Sequence, residues 1–195
     1  MRYKILDQNG MNFLTMTIVE WIDLFTRPVY SNIVLDSLRF CQEKKGLVVF
    51  AYVIMPSHLH LIVRTDNSIG LSRIIQSFKT YTSNQFLDYI NDWKKPESRR
   101  KWLLNHFAFN ARKNRTNSKH NLWVGDNHPI ALYTPKVIRT KLNYIHNNPV
   151  EAEVVNKPEH YRFSSASNYV SGNGVLDVTI IEDIWNDTGF VFTGM

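Results

Sequence analysis

Residues 46–65 read GLVVFAYVIMPSHLHLIVRT. From Gly46 to Met55 the chain is almost unbroken apolar sequence, Pro56 and Ser57 interrupt it, and His58 to Thr65 then alternates. Two short apolar runs around such a break predict an antiparallel hairpin. Apolarity this dense further predicts that both strands are central in their sheet. His58 and His60 are separated by one residue on the second strand, so their side chains leave the same face and their imidazoles can converge on one ion. Two nitrogens alone do not make a metal site, and a third ligand has to come from elsewhere in the chain.

Upstream, MNFLTMTIV (11–19) is β-rich and predicts a first strand, followed by a connection from Trp21 to Tyr30 in which Pro28 resists helix. Ile33, Val34, Leu38 and Cys41 then recur at helical spacing, predicting a helix from Ser31 to Lys45 with Ser31 as N-cap and Gly46 as its stop. Downstream, Leu71, Ile74, Ile75, Phe78, Thr82 and Phe86 trace one face of a second helix running to about Ile90, and Pro96 closes that segment. Pro135 opens a third helical pattern with Val137, Ile138, Leu142 and Ile145, capped by Thr134 and terminated by Pro149. This order of strands and helices predicts an α+β sandwich, helices packed on one face of an antiparallel sheet. At 195 residues, 44% hydrophobic, the chain has material for one core. A single domain over residues 1–174 is expected, followed by a C-terminal tail, 175–195, whose role the sequence does not reveal.

The net charge of +6 favours an anionic partner. Seven Lys or Arg and no Asp or Glu fall between residues 98 and 125, interleaved with Trp102, Phe107, Phe109 and Trp123. That run reads either as a solvated irregular surface or as a nucleic-acid contact. Cys41 is the only cysteine, so neither an internal disulfide nor a thiolate metal site is expected. MRYKILDQNG at the start lacks the apolar core of a secretory signal, and no stretch approaches the ~20 apolar residues that span a bilayer. A soluble protein of the reducing cytoplasm, without a membrane, fits.

Tyr144 and Asn148 stand four apart near the end of the third helix, hence on one face. An amide oxygen there can complete a His-His-Asn set, although a tyrosine on a helix usually packs and an Asn before a proline usually ends the helix. The remaining histidines, His106, His120, His128, His146 and His160, have no partner at ligand spacing and read as structural or exposed.

Two stretches together resemble a known family. MPSHLHLIV (55–63) resembles the His-hydrophobic-His motif of HUH endonucleases, and YIHNNPVEAEVV (144–155) resembles the tyrosine motif of REP-associated tyrosine transposases. The likeness extends over FLTMTIVEWIDLF (13–25), SRIIQSFKTYTS (72–83), NHPIALYTPKVIRTKLNYIHNNPV (127–150) and EHYRFSSASNY (159–169), about residues 11 to 170. Ser57 stands where such motifs often have Asn, and Glu151 and Glu153 where basic or small residues are usual.

The resemblance implies a ferredoxin/RRM-like sandwich with Tyr144 as nucleophile and His58, His60 and Asn148 as ligands of Mg²⁺ or Mn²⁺. It implies cleavage and rejoining of single-stranded DNA near hairpins through a 5′-phosphotyrosine link, by a nucleoid-associated, bacterial-type homodimer. Lys79, Arg99, Arg100, Lys101, Arg112, Lys113 and Arg115 are then candidate DNA-backbone contacts. Two alternatives stay open at this point. One is a non-catalytic RRM-like module that binds single strands. The other is a metal-dependent phosphodiester hydrolase in which Tyr144 only packs.

Overall fold

Pro56 has no N–H to offer a ladder, and the chain turns there, closed by the Met55 N–H donating to His58 O at 2.8 Å. β2 (Leu47–Ile54) and β3 (His58–Thr65) therefore pair antiparallel, Leu47 opposite Thr65 and Ile54 opposite Leu59. A bulge between Val49 and Ala51 lets Phe50 and Ala51 serve the same side of the sheet. β1 (Asn12–Thr17) lies along the other side of β3, with Thr15 opposite His60, and the two-residue β4 (Ile130–Ala131) pairs with β1. The structure, a computed structural model, describes residues 4–114 and 118–182.

The strand order is β2-β3-β1-β4, so β3 is central and β2 is an edge, contrary to the expectation from its apolarity. The reason is that later chain covers that edge. The N–H groups of Ile54, Ser165 and Thr179 donate to Phe163 O, Tyr52 O and Val49 O, each at 2.9 Å, and Ser165 Oγ accepts the Tyr52 N–H. An open apolar edge would invite pairing with other chains, and these bonds close it. The segment expected to be a separate tail thus begins as part of the core: Leu176 is buried and Ile181 packs against the sheet. Residues 183–195 lie outside the described residues.

One face of the sheet, carrying Leu14, Met16, Leu59, Leu61 and Val63, is covered by α1 (Pro28–Lys45) and α2 (Leu71–Asn91). The buried residues of α2 are the expected stripe, extended to Ile90. α1 starts three residues earlier than the sequence predicts, because a proline at the first helical position surrenders an N–H that has no partner there anyway. Ser31 is therefore not the cap; it is buried and its hydroxyl donates to Phe25 O. Gly46 ends the helix as expected, in the left-handed conformation at φ 64°.

The expectation that all the helices share one face does not hold. α4 (Pro135–Glu151) packs on the opposite face, its Leu142 and Ile145 against Phe13, Phe50, Val53 and Ile62. Thr134 caps it, accepting from the Val137 N–H, and the helix runs through Pro149 into one more short stretch before stopping. α5 (Ala166–Ser171) follows it. The first half of the basic stretch is helical: residues 100–113 form α3 (Arg100–Lys113), which buries Leu103, Phe107, Asn110 and Ala111, while 118–125 are irregular. Among the described residues no helix is long and apolar enough to cross a membrane.

α3 is anchored by a buried carboxylate just before it. Glu97 accepts from Tyr30 Oη at 2.8 Å and pairs with Arg99 Nε at 3.2 Å and Arg27 Nε at 3.4 Å. Burial pushes Glu97 up, but the bonds from Arg99 and Tyr30 outweigh it and hold the carboxyl below its usual range. Glu97→Gln keeps the shape and removes the charge that satisfies two arginines. The expected cost is about 2–3 kcal/mol, read as a lower urea midpoint at unchanged slope.

His146 sits between α4 and α5 with Nε2 2.9 Å from Ser165 Oγ and its ring 5.0 Å from that of Tyr169. Burial lowers its pKa to about 3. The unfolded chain takes up this proton near pH ~6.5 while the folded chain refuses it until far lower pH, so stability is full above ~6.5 and declines steadily below it. His146→Gln is expected to flatten the fall of the thermal midpoint between pH 6.5 and 4, although His60 contributes to the same slope.

Candidate active site

The alternation of β3 turns Leu59 and Leu61 toward α1 and α2, and His58 and His60 toward the face that α4 covers. Their rings lie 4.8 Å apart, centroid to centroid, at 76° to each other. On β1 the same alternation presents Thr15, whose Oγ1 is 2.9 Å from His60 Nδ1, and Phe13, which stacks on the His60 ring at 5.4 Å. Ser57 Oγ stands 3.2 Å from His58 Nδ1. A proton on each Nδ1, donated to these hydroxyls, leaves each Nε2 with its lone pair free.

α4 delivers the tyrosine to that lone pair. Tyr144 Oη is 3.4 Å from His60 Nε2, and the two rings meet edge to face at 5.1 Å. Tyr144 is 38% exposed, so its oxygen is reachable from solvent while its ring is fixed against His60 and Phe13. Lys141, one turn earlier, lays its ammonium 4.7 Å from the Phe13 ring centre and 5.6 Å from that of Tyr144. Asn148 lies one turn beyond Tyr144 on the same helix and is half-buried.

Burial makes both histidines poor bases. It lowers His58, and it lowers His60 to about 3 with smaller contributions from His58 and Lys141. Both rings are therefore neutral at physiological pH, the form that binds a cation. Among the described residues no three His, Cys, Asp or Glu come together to hold an ion, so a third protein donor beside the two imidazoles would be of another kind. The amide of Asn148 is of that kind, and a set of two imidazoles and one amide oxygen suits a divalent ion.

The candidate DNA contacts divide into two groups. Lys79 Nζ donates to Val124 O at 2.7 Å, Arg99 pairs with Glu97 and donates to Asp23 O at 3.0 Å, and Arg100 donates to Ile90, Asp92 and Lys95 carbonyls. Those three cations tie the chain together. Lys101, Arg112 and Lys113 are exposed along α3. Arg115 lies outside the described residues. Phe107 and Trp123 are core residues, the indole N–H of Trp123 donating to Thr82 Oγ1 at 3.0 Å, whereas Trp102 is exposed, its ring centre 4.4 Å from that of His106 and tilted 48° to it.

Sequence reasoning missed Thr15, Phe13 and Lys141. The signal for the first two is the β1 alternation, which puts Phe13 and Thr15 on one face; for Lys141 it is the i, i+3 spacing to Tyr144.

A family model described as IS200-like transposase matches residues 15–121, from within β1 through α3. The match takes in His58 and His60 and stops before Tyr144 and Asn148. A solved REP-associated tyrosine transposase bound to a REP hairpin is similar in structure, with a TM-score of 0.55 and 15% identity over 100% of this chain and 95% of that one. At that identity the likeness speaks for the fold, an α+β arrangement on a four-stranded antiparallel sheet. A transposase-like protein from Deinococcus radiodurans, at 14% identity, covers 75% of this chain and 97% of its own with a TM-score of 0.41. No curated protein sequence matches the chain. The family match spans more than half of the 195 residues and contains the histidine strand: the chain belongs to the IS200-like transposase family.

Proposed function

We propose that the protein cleaves and rejoins single-stranded DNA near hairpins, with Tyr144 as nucleophile and His58, His60 and Asn148 holding Mg²⁺ or Mn²⁺. The observation that carries this reading is the approach of Tyr144 Oη to His60 Nε2 at 3.4 Å, a helix and a strand far apart in sequence meeting at the two atoms the chemistry needs. The solved relative's hairpin ligand supports a hairpin-bearing substrate for this chain too.

Tyr144 Oη attacks the scissile phosphorus, the bond from phosphorus to the 3′ oxygen breaks, and the phenol's proton passes, in net, to the departing 3′-hydroxyl. The products are a 5′-phosphotyrosine and a free 3′ end. Attack of a 3′-hydroxyl on that link reverses the step and joins a new strand without ATP. A bound divalent ion supplies Lewis-acid neutralisation of the phosphate oxygens. Phe13 and His60 fix the plane of the tyrosine ring, and the Lys141 ammonium beside it favours an anionic phosphate over the phenol. Lys101, Arg112 and Lys113 offer contacts to the DNA backbone.

Thr15 acts through His60, by orienting its ring and fixing its tautomer. Thr15→Val is expected to weaken Mn²⁺ binding about tenfold, measured by titration of the paramagnetic signal, with little change in thermal midpoint.

We also read the protein as a cytoplasmic, nucleoid-associated homodimer. Because the chain covers its own β2 edge, strand pairing between two copies has to use the β4 edge, where Ile130 is exposed.

The test is incubation with a labelled single-stranded hairpin DNA and Mn²⁺, followed by denaturing electrophoresis. A protein-linked band that survives denaturation is expected. Cut DNA without that band favours hydrolysis, and binding without cutting favours a non-catalytic module.

A further inference from the structure

Between β1 and α1 the chain makes a turn, Val19–Trp21, in which Glu20 and Trp21 are consecutive residues in the left-handed region, φ 56° and 55°. Side chains with a Cβ avoid that region, and two in succession persist only where the surroundings hold them. Here they are held on both sides. Ile18 N–H donates to Ser57 O at 2.9 Å and Val19 N–H to Leu122 O at 2.8 Å. The Glu20 carboxylate is 2.6 Å from His106 Nδ1 on α3, with further bonding from Asn110 and attraction to Lys113.

The product of this bracing is an indole left in solvent at the metal-site histidines. Trp21 is 63% exposed, and its ring meets that of His58 edge to face at 5.3 Å. An aromatic residue kept for packing would be buried. The neighbouring helix continues the pattern. Trp102, His106, Phe109 and Lys113 fall at i, i+4, i+7 and i+11 and form one stripe of α3, flanking its buried face. Trp102 and Phe109 are about half exposed, and α3 carries no carboxylate. Exposed aromatic rings interleaved with cations make a sequence-tolerant platform for unpaired bases and their phosphates.

We propose that Trp21 and the exposed α3 stripe form a track for the unpaired DNA strand flanking the scissile phosphate, with one base stacked on the Trp21 indole and the strand continuing over Trp102 and His106. The proposal rests on the reading of the histidine and tyrosine site as the place of cleavage, and it adds Trp21, Trp102, His106 and Phe109, to which that reading gives no role.

The test is equilibrium binding, followed by fluorescence anisotropy, of a labelled hairpin with and without a single-stranded oligothymidylate tail, in a Tyr144→Phe background so that no covalent product forms. Trp21→Ala is expected to weaken binding of the tailed hairpin about tenfold, with Trp21→Phe retaining most of the affinity and the untailed hairpin unaffected. Trp102→Ala is expected to act in the same direction. Moving a single abasic site along the tail is expected to find one position where the parental protein loses the same factor and Trp21→Ala loses nothing further. Unchanged affinity for the tailed hairpin in Trp21→Ala overturns the proposal, and so does an equal loss on tailed and untailed hairpins. The two readings fail separately: a Trp21-dependent tail with no adduct from the wild-type protein sinks the chemistry and leaves the track, and an adduct with a Trp21-independent tail does the reverse.

Discussion

Tyr144→Phe is expected to abolish the covalent protein–DNA adduct and to lower strand cleavage by at least about a thousandfold, because it removes the only atom that forms the new bond. The substitution is well controlled. Phenylalanine keeps the ring that packs edge to face on Phe13 and His60, and the hydroxyl it lacks makes one long contact, 3.4 Å, at a partly exposed position. Stability is therefore expected to change by less than about 1 kcal/mol. DNA binding is expected to survive, since none of the exposed cations of α3 is touched. A variant that folds, binds the hairpin and makes no adduct separates nucleophilic chemistry from recognition. Continued cutting in Tyr144→Phe would point to a water nucleophile.

His60→Ala is expected to cut cleavage by about a hundredfold to a thousandfold through loss of the ion. His60 is the better choice for this test than His58, because its Nε2 faces the phenol directly and its ring is fixed by Thr15 and Phe13. It is buried, so the truncation also leaves a small cavity worth about 1–3 kcal/mol, and a melting curve has to accompany the assay. Chelation distinguishes the two effects. Removing divalent ions from the wild-type protein is expected to reproduce the catalytic loss, while His60→Ala, having already lost the ion, is expected to respond little to the chelator.

Much of this arrangement was legible in local sequence because local physics determines it. The Pro56-Ser57 break fixes the β2-β3 hairpin, the stripe from Leu71 to Phe86 fixes α2, and Thr134 with Pro135 fixes the start of α4. What was misread depends on distant chain. β2 is apolar like a central strand because residues 163–165 and 179 come back to cover it, a fact written more than a hundred residues away. α3 was hidden by its charges, although Leu103, Phe107, Asn110 and Ala111 carry a helical period. Charge counting likewise failed to tell Arg100, bound by three carbonyls, from Lys101 beside it in solvent.

The site shows the same division. Strand geometry alone places His58 and His60 on one face, and helix geometry places Tyr144 and Asn148 on another. That these faces meet follows from α4 crossing to the side of the sheet opposite α1 and α2, and no spacing in the sequence reveals it. Thr15 and Lys141 became visible only with that meeting, because each is defined by what it touches. The left-handed pair Glu20 and Trp21 carries no glycine to betray it, and its place beside His58 depends on His106 and Leu122.

The most direct measurement of the central claim is to digest the protein–DNA adduct with nuclease and protease and locate the residual nucleotide by tandem mass spectrometry. A nucleotide joined through its 5′ phosphate to the oxygen of Tyr144 is the expected result. A nucleotide on any other residue, or cleaved DNA bearing a free 5′ phosphate with no nucleotide left on the protein, would contradict it.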